Sequence, residues 1–302
     1  MEALIEAALR LAAPLLLAAL GELVIERAGL IDIGIEGTML TGAFAGFVVA
    51  VASGSALAGV AAAACAGVAV GGLFAAFTVL GRVDQIVVGT AVNLLALGAT
   101  GAGSRALYGG APPSAPTLGP VAQGLLGELP WLGALLFSQT AFLHVGLLLT
   151  LAIGFGLART LPGLRLRAVG ESARAADAEG VSVPAVRILA VLIGSSLAGV
   201  GGAALSLAQS DSFTEGMTAG RGFIALAIVI FGRWSSLGVL LASLFFGFVS
   251  ALQFRLQARG SGIPYPVFLM FPYLVTLAVL ALATGRARAP ADLGRPYARE
   301  GA

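Results

Sequence analysis

The sequence contains no lysine, so all 17 of its basic side chains are arginine. A phosphate-binding P-loop depends on the lysine of its GK[ST] end, and this chain therefore does not hydrolyse nucleotide by that route. Thiols and imidazoles are as scarce. One cysteine, Cys65, excludes an intramolecular disulfide. One histidine, His144, excludes a His/Cys metal cluster and leaves a serine-histidine hydrolase without support. Both read as packing residues in apolar segments. Charge of either sign is sparse: charged residues are 11% of the chain, against about 25% in a soluble domain. An ordinary water-soluble fold is excluded.

What fills the chain is apolar. Hydrophobic residues make up 58%, the mean hydropathy is +0.99, and runs long enough to cross a bilayer recur. In lipid a helix satisfies its own backbone, so the fold class is all-α, a polytopic membrane bundle that includes broken or half-helices. The first segment has no cleavage site before a polar mature domain and is expected to be a retained span. Spans are predicted near residues 8–25, 37–52, 57–79, 86–103, 141–158, 184–208, 222–231, 237–253 and 266–284. The seventh is short, and Phe231, Gly232, Arg233 and Trp234 suit a tight hairpin between half-helices. The expected total is roughly eight to ten spans in one domain over residues 1–302.

If nine spans form, the N-terminus lies outside and the C-terminus inside. Arg27, Arg82, Arg159, Arg165, Arg167, Arg174, Arg187, Arg233, Arg286, Arg288, Arg295 and Arg299 then fall inside, against Arg105, Arg255 and Arg259 outside, which is the expected asymmetry. Residues 104–139, with Pro112, Pro113, Pro116, Pro120 and Pro130, read as an external loop with a helical piece near Gly124–Phe137. Small residues at four-residue spacing (Gly42 and Gly46, Gly67 and Gly71, Ala99 and Gly103, Ala198 and Gly202) predict close helix packing. Alanine, glycine and arginine in excess, without lysine, point to a bacterium with a GC-rich genome.

A charge at the bilayer centre costs about 2.5–3.5 kcal/mol, so each acid near a span needs a reason. Glu22 and Glu26 close the first span, and Asp32 and Glu36 open the second, close to the inner surface, where Arg27 could neutralise one of them. Glu36, bracketed by Gly34 and Gly37, has a second reading, as the cap of a broken helix lining a transport path. Asn93 either hydrogen-bonds across helices or faces a solute. Ser195 and Ser196 can bond back to their own helix. Around Phe213, the stretch AQSDSFTEGMTAG (208–220) reads as a solvated outer turn or as a surface for a docking protein or a solute.

The longest polar run between apolar segments is the loop at 159–183. Gly170–Gly180 reads as a short helix with Glu171 in its first turn and Gly180 as its stop. Its small residues Ala173, Ala176 and Gly180 share one face. So short a helix needs packing against its own protein or a partner.

Five stretches resemble one family in order and spacing: GELVIERAGLIDIGIEGTMLTGAFAGF (Gly21–Phe47), DQIVVGTAVNLLALGATG (Asp84–Gly101), GLRLRAVGESARAADAEGVSV (Gly163–Val183), GRGFIALAIVIFGRWSSLGVLLASLFFG (Gly220–Gly247) and IPYPVFLMFPYLVTLAVL (Ile263–Leu280). The family is that of permease subunits of bacterial ABC importers, in the branched-chain amino acid and simple-sugar superfamily. The likeness is greatest to the nucleoside branch served by lipoproteins of the basic membrane protein type. The resemblance implies a multi-pass protein of the bacterial inner membrane with no hydrolytic site of its own. ATP and Mg would be bound on partner ATPase subunits, beside a second permease and an external solute-binding lipoprotein. It makes the 170–180 segment a coupling helix, with Arg167, Gly170, Glu171, Ala175, Ala176 and Gly180 meeting the motor. Glu36, Asn93 and Phe213 are candidates for the translocation path. Simple sugars or branched-chain amino acids are the alternative solutes. An ion-coupled secondary transporter using Asp32, Glu36 or Asp84 is the alternative of another class.

Overall fold

The computed structural model describes residues 2–119, 139–258 and 289–298, and residues 267, 270, 274, 275, 277 and 278 between the last two. The expected ninth span at 266–284, apart from those few helical residues, lies outside the described residues, as do the helical piece at Gly124–Phe137, Arg259, Arg286, Arg288 and Arg299. The elements are α1 (Glu2–Arg27), α2 (Ile35–Ser53), α3 (Ala56–Ala75), α4 (Gln85–Tyr108), α5 (Ala141–Arg159), α6 (Leu161–Glu171), α7 (Ala173–Ala178), α8 (Val183–Ala204), α9 (Arg221–Phe231) and α10 (Ser236–Ala258). Wider π-helical turns extend α3 to Leu80 and α8 to Gln209. No strand occurs among the described residues. Among the described residues, seven helices are long and apolar enough to cross a membrane, and α9 is a shorter apolar one.

Local chemistry sets the helix ends. Asp84 opens α4 by accepting the Ile86 and Val87 amides at 2.9 and 3.1 Å, and Gly109, at φ 60°, closes it. Inside α1, Pro14 has no amide to give the Arg10 carbonyl; the Gln209 side chain supplies the missing donor at 2.9 Å. That bond ties the end of α8 to α1.

α8 lies at the centre, against α1, α2 and α3. The contacts are made by backbone: Gly194 meets Gly21 on α1, Gly199 meets Ala63 and Gly67 on α3, and Gly202 meets Met39 on α2. Without a Cβ at these points the helix axes draw together, and dispersion between the backbones holds the bundle in lipid. Gly42 and Gly67, from the four-residue spacings, take part; Gly103 instead receives the Phe44 ring. Ser195 is fully buried between these helices, and its hydroxyl makes no hydrogen bond, contrary to the expected bond back to its own helix. α10 packs on α1 through Gly247, Ala8 and Ala12. Leu94, Leu148, Leu151, Phe155 and Leu241 stay on the outside, where a bilayer solvates them.

One chain segment crosses the bundle in two pieces. After α8, residues 210–220 turn back into the bundle without helix, and α9 begins at Arg221, capped by Gly220, whose φ is 81°. Glu36, in the first turn of α2, sits against Gly222, and Ile35, Gly222 and Ile224 around that contact are all buried. α9 therefore starts inside the bundle. Its far end turns through Gly232, Arg233 and Trp234, the last two at φ 52°, into the full-length α10. The expected hairpin forms, with a half-helix on one side only.

The expected single helix at 170–180 is instead two. α6 runs to Glu171, Ser172 is extended at φ −157° and ψ 100°, and α7 follows, with the Ser172 hydroxyl accepting the Ala175 amide at 3.3 Å. Thr160 starts α6 earlier by accepting the Gly163 amide, with Pro162 in its first turn. Gly180, at φ 81°, ends the segment as read.

Gly199→Ala should lower stability by about 1–3 kcal/mol, since its methyl would overlap the Ala63 carbonyl. Gly98→Ala in α4, with nothing within 4 Å, should be neutral or stabilising by up to about 1 kcal/mol. Thermal unfolding of the purified protein in detergent checks both.

Candidate functional site

Two places hold most of the chemistry. The first is the junction where α2 and α9 both begin inside the bundle. Glu36, in the first turn of α2, accepts the Gly220 amide on Oε1 at 2.7 Å and the Gly222 amide on Oε2 at 2.6 Å. A carboxylate on two free amides of a helix N-terminus meets both hydrogen-bonding need and dipole. Gly222 has no Cβ because the Glu36 backbone occupies that space. Asn93, on α4, accepts the Gly37 amide at 2.7 Å and donates to the Ile33 carbonyl at 2.9 Å. It hydrogen-bonds across helices and secures the first turn of α2. Asn93 and Glu36 thus belong to one junction. Phe213 does not join them: it is fully buried, edge-on to Phe44 with centroids 5.1 Å apart, and near Phe47 at 6.3 Å. The turn at 208–220 is therefore anchored rather than freely solvated, braced further by Ala115 and Leu118 amides on the Asp211 and Leu207 carbonyls at 2.8 and 3.1 Å. Arg105 and Glu215 pair at its surface at 2.6 Å.

Beside the junction lie three buried acids, Glu22, Glu26 and Asp32. Glu22 Oε1 accepts the Asp32 amide at 3.0 Å, Asp32 Oδ1 accepts the Gly34 amide at 2.9 Å, and Glu26 accepts the Trp234 indole N–H at 2.5 Å. Arg27 neutralises none of them directly. Its guanidinium donates to the Trp234 carbonyl and holds the left-handed turn between α9 and α10. No acidic, histidine and cysteine grouping that could hold a metal occurs among the described residues.

The second place is the α6–α7 end. Of the residues assigned there from sequence, Glu171, Ala175 and Gly180 are exposed and Arg167 is half-buried. Gly170 is buried with its Cα against the Arg27 carbonyl, so it sits in the last turn of α6 and packs on α1. Ala176 and Ala173 turn inward, with Val169 and Val183. Ala173 and Ala176 of the small face are thus covered by the protein itself, while Gly180, assigned to the same face, is exposed with Glu171 and Ala175.

Sequence reading missed Trp234, Arg187 and Asp292. Arg187 is buried at the start of α8 and donates to the Ala28 and Arg295 carbonyls at 3.3 and 3.0 Å. Asp292 accepts the Ala173 amide at 2.8 Å. An arginine inside an apolar run was the available signal for Arg187; an acid in a polar tail gave none for Asp292.

A family model described as the permease component of the branched-chain amino acid transport system matches residues 4–280. The chain is similar to the guanosine ABC transporter permease protein NupQ of Bacillus subtilis (strain 168), 37% identical over 97% of this chain and 96% of the relative. It is also similar to the putative glucose ABC transporter permease protein TsgC13 of Haloferax volcanii, 36% identical over 98% of each. The nucleoside ABC transporter permease protein NupC of Lactococcus lactis subsp. cremoris (strain MG1363) is 34% identical over 94% of this chain and 93% of its own. No solved structure matches.

Asp32 lies between α1 and α2, and burial, only partly offset by the Gly34 amide, pushes its carboxyl from 3.8 up to about 7. The folded protein keeps this proton while the unfolded chain releases it. The contribution to stability is complete below about pH 4 and is lost as pH rises to 7. Asp32→Asn, which keeps an acceptor for Gly34, should flatten the fall of the unfolding temperature across that window. An unchanged slope would remove Asp32 as its source.

Proposed function

We propose a transport function on one premise: this chain belongs to the family of permease components of the branched-chain amino acid transport system. It is a multi-pass membrane subunit of an ATP-driven ABC importer, and its solute is a nucleoside. The observation that carries the transport reading is similarity along nearly the whole chain to proteins named as ABC permeases. Two of these three are named for guanosine or nucleoside. The α2–α9 junction supports an uncharged solute. Each Glu36 oxygen already accepts a backbone amide and each end of the Asn93 amide has a backbone partner, so both side chains serve the junction and no pair of opposite charges is set out for a charged solute there. The name of the Haloferax relative favours a second reading, glucose, which is also uncharged.

In this account the α6–α7 end faces the cytoplasm and the turn at 210–220 faces outward. Two ATPase subunits carry ATP and Mg, since this chain has no P-loop lysine. A second permease completes the path, and an external lipoprotein delivers the solute. The exposed Glu171, Ala175 and Gly180 present α6–α7 to the ATPase, with Arg167 beside them, while Gly170 and Ala176 set the segment's position from within. Closure of the ATPase pair moves α6–α7, and the access of the path changes side. An ion-coupled carrier is disfavoured because each of its candidate acids binds backbone amides: Asp84 caps α4, Glu36 holds α9, and Asp32 accepts the Gly34 amide.

The test is reconstitution of the importer in vesicles with labelled guanosine, adenosine, glucose and leucine. ATP-dependent accumulation of a nucleoside is expected; accumulation of glucose or leucine alone would reject the solute and keep the importer. Ala175→Arg, at an exposed position, should cut uptake at least about tenfold with the unfolding temperature unchanged. Full uptake in that variant would remove this face from the motor contact.

A further inference from the structure

α7 has six residues, too few to hold an orientation by its own hydrogen bonds. Its position is fixed from outside, and the chain that fixes it comes from the far end of the sequence. Asp292 accepts the Ala173 amide, the first of α7, on Oδ2 at 2.8 Å, while its own amide donates to the Gly170 carbonyl at 2.9 Å. Two residues on, the Gly294 amide donates to the Gly29 carbonyl in the α1–α2 turn at 3.0 Å. Arg187 then closes the loop: Nη1 donates to the Arg295 carbonyl, and Nε to the Ala28 carbonyl. Tyr297 covers the Val169, Ala173, Ala176 and Val183 cluster. Residues 289–298 therefore bind α6, α7, α8 and the α1–α2 turn at once.

The α1–α2 turn leads directly to the broken span. Asp32 and Gly34 in this turn precede Glu36, and Glu36 holds the start of α9. A displacement of α7 that the tail carries to Gly29 thus reaches the element that starts inside the bundle. A tail bound only to α7, or only to the turn, could not do this.

We propose that the C-terminal tail is a clasp that couples α7 to the broken span, with Asp292 as its positioning residue. The clasp rests on the importer reading given above. Asp292 touches neither solute nor nucleotide; it acts by making α7 and the α1–α2 turn move as one body. Removing its carboxylate lets the motor turn over while α7 slips. The quantity that changes is solute moved per ATP hydrolysed, which a merely structural role would not alter.

The experiment uses the whole reconstituted importer and measures nucleoside accumulation and receptor-stimulated ATP hydrolysis together. Asp292→Ala should lower transport per ATP at least about tenfold, with hydrolysis within about twofold of the unaltered protein. Asp292→Asn, whose side-chain oxygen accepts the same amide, should keep the ratio. Ala173→Pro deletes the donor instead of the acceptor at a helix position that tolerates proline, and should uncouple as Asp292→Ala does. An unchanged ratio in both Asp292→Ala and Ala173→Pro, or a parallel fall of transport and hydrolysis, overturns the clasp. Absence of ATP-dependent accumulation in the unaltered importer overturns the importer reading itself, and is seen before any variant is made.

Discussion

A helix that starts inside a membrane protein leaves backbone amides without helical partners, and the fold depends on how these are met. Here one carboxylate meets two of them. Glu36 accepts from Gly220 and Gly222, each a charge-assisted bond worth about 1.5–3 kcal/mol, and the N-terminal dipole of α9 adds to this. Without it the Gly220 and Gly222 amides would lose their acceptor in the protein.

The rest of the bundle serves that junction. Gly37 must lack a Cβ for α4 to bring Asn93 onto the first turn of α2, and Gly89 must lack one for α4 to pass Gly34. α8 keeps α2 in register through Gly199 and Gly202, and Phe213, wedged against Phe44 and Phe47, holds the non-helical half of the broken span. At the other end of α9, Arg27 and Glu26 grip Trp234 through its carbonyl and its indole N–H. α9 is thus held at both ends by side chains from the two N-terminal helices.

The spans were legible because each is an unbroken apolar run, and the short run at 222–231 already marked a half-helix. Glu36 was conspicuous for its setting, but its partners lie 184 and 186 residues away, and no local pattern pairs them. At 170–180, alanine content and the Gly180 stop suggested one helix; the cap at Ser172 and the earlier start at Thr160 divide it in two. The small face of α7 could be seen in the sequence, but the side it faces could not. Its cover includes Tyr297, more than a hundred residues on, in a tail whose composition resembles any solvated end. Phe213 misled for a similar reason: polar neighbours describe the turn, while burial of the ring is decided by Phe44 and Phe47 on α2.

The central claim is that Glu36 holds the start of α9 inside the bundle, and amide hydrogen exchange over residues 214–224 tests it directly. In the unaltered protein the Gly220 and Gly222 amides should exchange slowly, as bonded backbone does. In Glu36→Ala the same peptide should exchange at least about tenfold faster while α10 keeps its protection, since loss of two bonds opens α9 locally before the bundle unfolds. Equal exchange over residues 214–224 in the two proteins would contradict the account.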